Sequence, residues 1–250
     1  MPAIKFILFD LGNTLIYFDG HWPEVFARAD NQLWQALQAA GLEFPQEKFV
    51  TQFRMRLDAY YVQREAEFIE HTTAYILRGL LAELGYPQVE DEIILPVLEQ
   101  AYAITQAHWK IEEDTHETLQ ELQALGYRMG IISNAGDDHD VQRLVDQAMI
   151  RPYFDVILSS AAYGLRKPNP RIFEHILKTW EAHPHQAVMV GDTLGADILG
   201  AQHAKLLSIW ITRRADTPAN RAHADTIQPD HRISTLKELP TLIARLTPRG

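Results

Sequence analysis

Ile4-Lys5-Phe6-Ile7-Leu8-Phe9-Asp10-Leu11-Gly12-Asn13-Thr14-Leu15 is an apolar run too short for a helix, and it stops on a carboxylate. Residues 4–9 therefore read as a buried strand. Comparable runs rich in Ile, Val and Phe recur at 128–132, 154–158, 187–190 and 207–211, most of them closed by Gly, Asn or Asp. Helical spacing fills 115–125, 138–149, 170–180 and 194–204 between the later runs, and another such segment follows at 234–246. Strands alternating with helices predict an α/β fold, a doubly wound parallel sheet covered by helices on both faces. Such sheets bind ligands outside the carboxyl ends of their strands, which is where Asp10 stands.

The alternation is interrupted once. Between residue 17 and about 112, Trp, Phe, Leu and Tyr recur at spacings of three and four, and no strand pattern is evident. An all-helical insertion after strand one is expected, with helices at roughly 22–40, 45–64, 68–85 and 89–111. The predicted organisation is a sheet domain built from 1–16 and 113–250 and a helical cap at 17–112, joined by two short hinges near Tyr17 and Glu112.

Composition narrows the class. The 250 residues are 46% hydrophobic and 22% charged, as in ordinary globular proteins, so a disordered or fibrous chain is excluded. Lys and Arg total 23 against 33 Asp and Glu, a formal charge of −10, with no basic patch to attract nucleic acid or an anionic membrane. There is no cysteine, which removes thiolate metal sites and thiol nucleophiles. The first apolar run is cut at Asp10 without a cleavage site, and no stretch approaches the roughly 20 apolar residues of a membrane span, so a cytoplasmic protein is expected.

Carboxylates gather at predicted strand ends. Asp10 closes the first strand, and Gly191-Asp192-Thr193 closes the fourth, with Asp197 five residues after Asp192. Like charges so close repel one another unless a hard cation such as Mg²⁺, with its preference for oxygen ligands, neutralises them. The second strand ends in Ser133-Asn134, a hydroxyl and an amide beside turn N–H groups able to hold phosphoryl oxygens. Between the third and fourth strands, Lys167-Pro168-Asn169-Pro170 sets a cation at the start of a helix, where it would balance a phosphate.

These four elements, Asp10 in Asp-x-x-x-Thr-Leu, Ser133, Lys167 in Lys-Pro-x-Pro, and Gly191-Asp192 with Asp197, resemble in order and spacing the haloacid dehalogenase superfamily. The resemblance covers the whole chain, because the helical block is similar to that family's type-one cap. It implies a Rossmann-like core with strand order 3-2-1-4-5 and a Mg²⁺-dependent phosphatase of small phosphorylated metabolites. In that scheme Asp10 attacks phosphorus to form an aspartyl-phosphate, and Asp10, the Gly12 carbonyl, Asp192 and Asp197 hold Mg²⁺. Ser133 and Asn134 hold the phosphoryl group, Lys167 offsets charge, and Thr14 steadies the nucleophile loop. The pattern departs at Gly12, where most phosphatases of the family carry an Asp that protonates the leaving alcohol. Asp19 and His21 are the nearest substitutes by sequence.

Two other functions fit the same residues. A 2-haloacid dehalogenase would use Asp10 to attack carbon and tolerates a non-acidic residue at Gly12, although it has no need of Asp192 and Asp197. A protein that binds phosphometabolites with little turnover would follow from the missing acid. The acidic run Asp137-Asp138-His139-Asp140 reads as a helix start favoured by the helix dipole, and His183 and His185 as surface residues. The aromatic residues Trp22, Phe26, Trp34, Phe49, Phe53, Tyr60 and Tyr61 read mostly as core of the helical block.

Overall fold

The computed structural model describes residues 3–246, so the outermost positions of the predicted sheet domain, 1–2 and 247–250, lie outside the described residues. The strands are β1 Phe6–Phe9, β2 Ile16–Phe18, β3 Trp109–Ile111, β4 Arg128–Ser133, β5 Val156–Ser159, β6 Ala187–Gly191, β7 Leu207–Ile211 and β8 His231–Ile233. The helices are α1 Trp22–Ala39, α2 Gln46–Glu67, α3 Thr73–Glu83, α4 Asp91–Gln106, α5 Thr115–Ala124, α6 Asp138–Gln147, α7 Ser160–Tyr163, α8 Pro170–Thr179, α9 Leu199–His203, α10 Pro218–His223 and α11 Leu239–Leu246.

Six strands form one parallel sheet in the order β5-β4-β1-β6-β7-β8. This is the predicted five-strand order, extended by β8 at one edge. Strand β8 has only one apolar residue, Ile233, and so carries no buried-strand pattern, which suits the polar edge of a sheet. It is fixed instead by Asp230, which accepts from the Ser208 hydroxyl at 2.6 Å and the Ser208 amide at 2.9 Å.

Every residue of β1 is buried, because helices cover both faces. Ile7 and Phe9 pack with Ile131, Val188 and Val190 on one side, toward α5, α6 and α11. Phe6 and Leu8 pack on the other with Ile132, Met189 and the apolar face of α8, Ile172, Phe173, Ile176 and Leu177. Register then sets the site: Phe9 pairs with Ile131 on one side and Val190 on the other, so the chain leaves three neighbouring strands at one level.

Helices α1 to α4 enclose a separate apolar cluster that includes Leu37, Phe49, Leu77, Leu80 and Ile94. The stretch between residues 17 and 112 is nevertheless not purely helical. Its ends form an antiparallel ribbon in which Ile16, Tyr17 and Phe18 of β2 pair with Ile111, Lys110 and Trp109 of β3. The three residues expected to finish the last helix therefore extend, because long-range pairing with β2 outweighs local helical spacing. The segment expected to open a helix at 68 also departs. Phe68 is left-handed at φ 54°, Ile69 pairs with Leu165, and α3 starts only where the Thr72 side chain accepts from Tyr75 N at 3.1 Å. Among the described residues, no helix is long and apolar enough to cross a membrane.

The ribbon is clamped to the sheet. Buried Asp114 takes two bonds of 2.7 Å from Arg213, which also donates to Glu112 at 3.0 Å, while Arg214 pairs with Glu112 and lies 3.8 Å from the Tyr17 ring centroid. Removing one partner of so buried a pair strands the other's charge. Arg213→Met is therefore expected to lower unfolding stability by about 3 kcal/mol in urea titrations at neutral pH; a loss below about 0.5 kcal/mol would show that the clamp contributes only as an exposed ion pair does.

Candidate active site

Asp10 follows β1, its amide donating to the Val190 carbonyl at 2.9 Å, so its carboxyl emerges between β1 and β6. The chain then turns back at once: Asn13 is left-handed at φ 57°, and the Leu15 and Ile16 amides both donate to the Leu11 carbonyl. Asparagine tolerates that conformation better than most residues with a side chain. Asp192 follows β6 in the same way, and Asp197 returns to it through a π-helical turn, Leu194–Ile198. The wider turn lets Asp197 Oδ2 accept from Thr193 N at 2.9 Å.

Three carboxylates result, from Asp10, Asp192 and Asp197, each offering an oxygen within 4.8 Å of the others. Gly191 makes room for them, since a Cβ there would collide with the Asp197 carboxylate. Lys167 is the counter-charge. Its side chain is 1% exposed, and Nζ donates to Asp10 Oδ1 at 2.6 Å and to the Ile132 carbonyl at 2.7 Å. The same nitrogen lies 2.6 Å from Asp197 Oδ1.

One ammonium among three carboxylates leaves an excess of negative charge in a buried place, and the titration of the groups reflects it. Burial raises the pKa of Asp192, and the charges of Asp10 and Asp197 raise it further. Burial also raises Asp10, against the opposing pull of Lys167. Burial alone would lower Lys167, but the neighbouring Asp10 and Asp197 outweigh it and hold the ammonium charged. A donor set of buried carboxylate oxygens with surplus negative charge suits a small hard cation.

The other predicted residues divide. Ser133 ends β4 and lines the same cavity of about 430 Å³ as Asp10, Gly12 and Asp192. Asn134 lines it too, but both ends of its amide are engaged, Nδ2 donating to the Lys167 carbonyl at 2.9 Å and Oδ1 accepting from the Lys167 amide at 2.8 Å. Asn134 thus holds the lysine loop against the end of β4. Thr14 is fully buried beneath the Asp10 loop, away from the residues that line the cavity. Asp19 and His21 are exposed and also off the cavity, paired with Lys110 and Glu24 respectively.

Several residues at the site carry no sequence signal. Asn220 is buried on α10, donates to the carbonyls of Asp192 at 2.8 Å and Ala215 at 2.9 Å, and accepts from Leu194 N at 2.8 Å, fixing the turn between Asp192 and Asp197. Trp210 Nε1 adds a bond to the same Asp192 carbonyl at 2.7 Å. Arg166, beside Lys167, lies 3.5 Å from the buried Glu70 of the helical insertion, whose two oxygens also accept from Tyr60 and Ser160. Trp109 of β3 reaches over the nucleophile loop: a Cβ on Gly12 would lie 3.3 Å from its Cη2. The expected aromatic core holds for Phe49, Phe53 and Tyr60, which are buried in the helical cluster, while His183 and His185 are exposed and stacked on each other.

This geometry has relatives. Residues 4–205 match the haloacid dehalogenase-like hydrolases. The chain belongs to that family. This hydrolase is 29% identical to a ribulose-1,5-bisphosphate 5-phosphatase of Halopiger xanaduensis over 95% of its own length and 98% of the relative's. It is 36% identical to a glyceraldehyde 3-phosphate phosphatase of Methanothermobacter thermautotrophicus, across 50% of its own length and 57% of the relative's. Its fold is similar to that of a 2-haloacid dehalogenase from Pseudomonas syringae pv. Tomato, with a TM-score of 0.68, 24% identity, and coverage of 98% and 100% of the two chains.

Two substitutions probe the packing of the site. Gly191→Ala must push the Asp197 carboxylate aside and is expected to cost about 1–3 kcal/mol of stability. Gly12→Asp would bring a Cβ to 3.3 Å from the Trp109 ring, which need shift only a few tenths of an ångström, so a smaller cost is expected, recovered in part when Trp109→Ala is added. Thermal unfolding measures all three, and a Gly12→Asp protein as stable as wild type would mean that the indole yields freely.

Proposed function

We propose that this hydrolase removes phosphate from small phosphorylated metabolites, with Asp10 as nucleophile and Mg²⁺ as cofactor. What carries the reading is the contact of the Asp10 carboxyl with the buried Lys167 ammonium at the edge of a three-carboxylate cluster. Lys167 pairs with Asp10 Oδ1 and so fixes the rotamer of the carboxyl, leaving the other oxygen to attack phosphorus. Ser133, at the end of β4, offers its hydroxyl to the phosphoryl oxygens. Lys167 supplies positive charge where the nucleophile and the transferring group both carry negative charge, and it remains an ammonium throughout.

Asp10, the Gly12 carbonyl, Asp192 and Asp197 would hold Mg²⁺, which when bound screens phosphate from carboxylate and polarises the phosphoryl group. The helical layer above the cavity favours a small substrate over a macromolecular one. Both curated relatives carry phosphatase names for small sugar or triose phosphates.

Gly12 favours a second reading, 2-haloacid dehalogenation, because carbon attack with halide departure needs no proton donor there. Asp192 and Asp197 weigh against it: two buried carboxylates beside the nucleophile would repel a carboxylate substrate. Halide release from 2-chloropropionate that persists in EDTA would reverse the order of the two readings.

Asp10→Asn is expected to abolish phosphate release from p-nitrophenyl phosphate while leaving the melting temperature within a few degrees of wild type, and activity within tenfold of wild type would exclude covalent catalysis at this residue. Asp192→Asn should weaken Mg²⁺ binding and turnover together. Protons compete with the cation for carboxylates whose pKa values are raised, so acid conditions favour the protonated, cation-free site. The rise in melting temperature on adding Mg²⁺ should accordingly grow from pH 5.5 to pH 8.5. A rise that is constant or shrinks over that range would speak against these ligands.

A further inference from the structure

An alkyl phosphate cannot release its alcohol efficiently as an alkoxide; a positioned acid must protonate the departing oxygen as the P–O bond breaks. Gly12 has no side chain to offer, and the Trp109 ring stands 3.3 Å from where its Cβ would be. We propose that Asp140 is the proton donor of this site, its carboxyl protonating the leaving oxygen of a phosphate ester bound at Asp10. The proposal rests on the phosphatase reading and deepens it.

The other titratable groups on the cavity wall are each unsuited to the task. Asp10, Asp192 and Asp197 form the carboxylate cluster, and Lys167 is bound on several sides and keeps its proton. Glu65 has a side chain 69% exposed and sits at the rim beside Arg64 and Arg166, while His223 is exposed at the end of α10, over Gly195.

Asp140 differs from all of these. It stands in the first turn of α6, whose start is separated from Ser133 by only a few residues, and it lines the same cavity as Asp10 and Ser133. The buried Gln106 of α4 donates to its Oδ1 at 2.8 Å, which orients the carboxyl. Among the described residues no donor reaches Oδ2. Gln106 and Trp109 lie three residues apart on the segment that leads out of the helical insertion, so one stretch of chain both approaches Gly12 and holds Asp140.

The acidic run that reads in the sequence as a helix start has therefore divided its work. Asp137 caps α6 by accepting from Asp140 N at 2.9 Å, and Asp138 accepts from Ser159 at 2.7 Å. Asp140 is left facing the cavity. Burial raises its pKa to about 6, against the lowering effect of the Gln106 bond, so the group exchanges a proton near neutral pH. The charged or titratable groups that face it are the capping Asp137, His139 of its own helix and Tyr102 of α4.

The chemistry balances. An Asp10 oxygen bonds to phosphorus, the P–O bond to the alcohol breaks with its electron pair going to oxygen, and the Asp140 proton passes to that oxygen. The products are free alcohol, the phosphorylated Asp10 and an Asp140 carboxylate. That carboxylate then takes a proton from the water that attacks phosphorus, releasing phosphate and restoring both side chains.

Asp140→Asn tests this, since an amide oxygen still accepts from Gln106 but the group has no acidic proton to give. With Mg²⁺ present, kcat/KM for glycerol 3-phosphate, which reports the step in which the alcohol leaves and not the later hydrolysis of phosphorylated Asp10, should fall by about 10² to 10⁴, whereas kcat/KM for p-nitrophenyl phosphate, whose leaving group departs unprotonated, should fall less than tenfold. Gln106→Met gives a second variant should Asp140→Asn fold poorly: losing the bond raises the Asp140 pKa, so the basic limb of the pH profile for glycerol 3-phosphate should move upward. An unchanged kcat/KM for glycerol 3-phosphate in Asp140→Asn, or an equal fall in kcat/KM for both substrates at an unchanged melting temperature, would overturn the proposal and leave the phosphatase reading in place. A wild-type protein that releases phosphate from neither substrate would remove both.

Discussion

A buried ammonium governs this molecule. Lys167 is surrounded by Asp10, Asp197 and the Ile132 carbonyl, and each of these comes from a different part of the sheet's carboxyl edge. Burying a lone lysine charge costs several kcal/mol, so the lysine side chain is stable there only while the carboxylates stay close. The carboxylates in turn repel one another and need the lysine. The strand register that aligns β1, β4 and β6 is what brings the opposite charges into contact. The surrounding bonds from Asn134, Asn220 and Trp210 hold the loops so that this balance is not lost to thermal motion.

The sheet and the charged centre were legible because both are written locally. Buried parallel strands are continuous apolar runs, and Asp10, Ser133 and Asp192 each lie at or one residue beyond the end of such a run. Strand order was legible only through the family resemblance, since pairing partners leave no mark in a single strand. The ribbon of β2 and β3 leaves no such mark: three residues are too few to show alternation, and the apolar residues of β3 continue the spacing of the helix before them. Strand β8 is silent for the opposite reason, having almost no apolar content.

The polar residues that complete the site were illegible for a third reason. Trp109, Gln106, Asn220 and Arg166 act through partners distant in the chain, and nothing in their immediate neighbours marks them. Asp140 carries a sequence signal only as a helix-start carboxylate, because Asp137, Asp138 and Asp140 are equivalent in a sequence pattern. Only the fold distinguishes the one that caps the helix from the one that faces the cavity. Thr14 shows the converse, a residue with a motif position whose side chain is enclosed by the loop it belongs to.

The pairing of Ile69 with Leu165 gives the helical layer a second attachment, remote from the β2–β3 ribbon and directly before Lys167. The Glu70 amide donates to the Gly164 carbonyl at 3.0 Å, and the Arg166 amide donates to the Phe68 carbonyl at 3.0 Å. A layer held at two separated points cannot swing about one of them while the other remains intact. Any swing of the layer on this side would unzip the short bridge and draw the Glu70 carboxylate away from Tyr60 and Ser160. The two amides are thus a built-in gauge of that motion: their exchange with solvent deuterium counts how often the layer separates from the lysine loop.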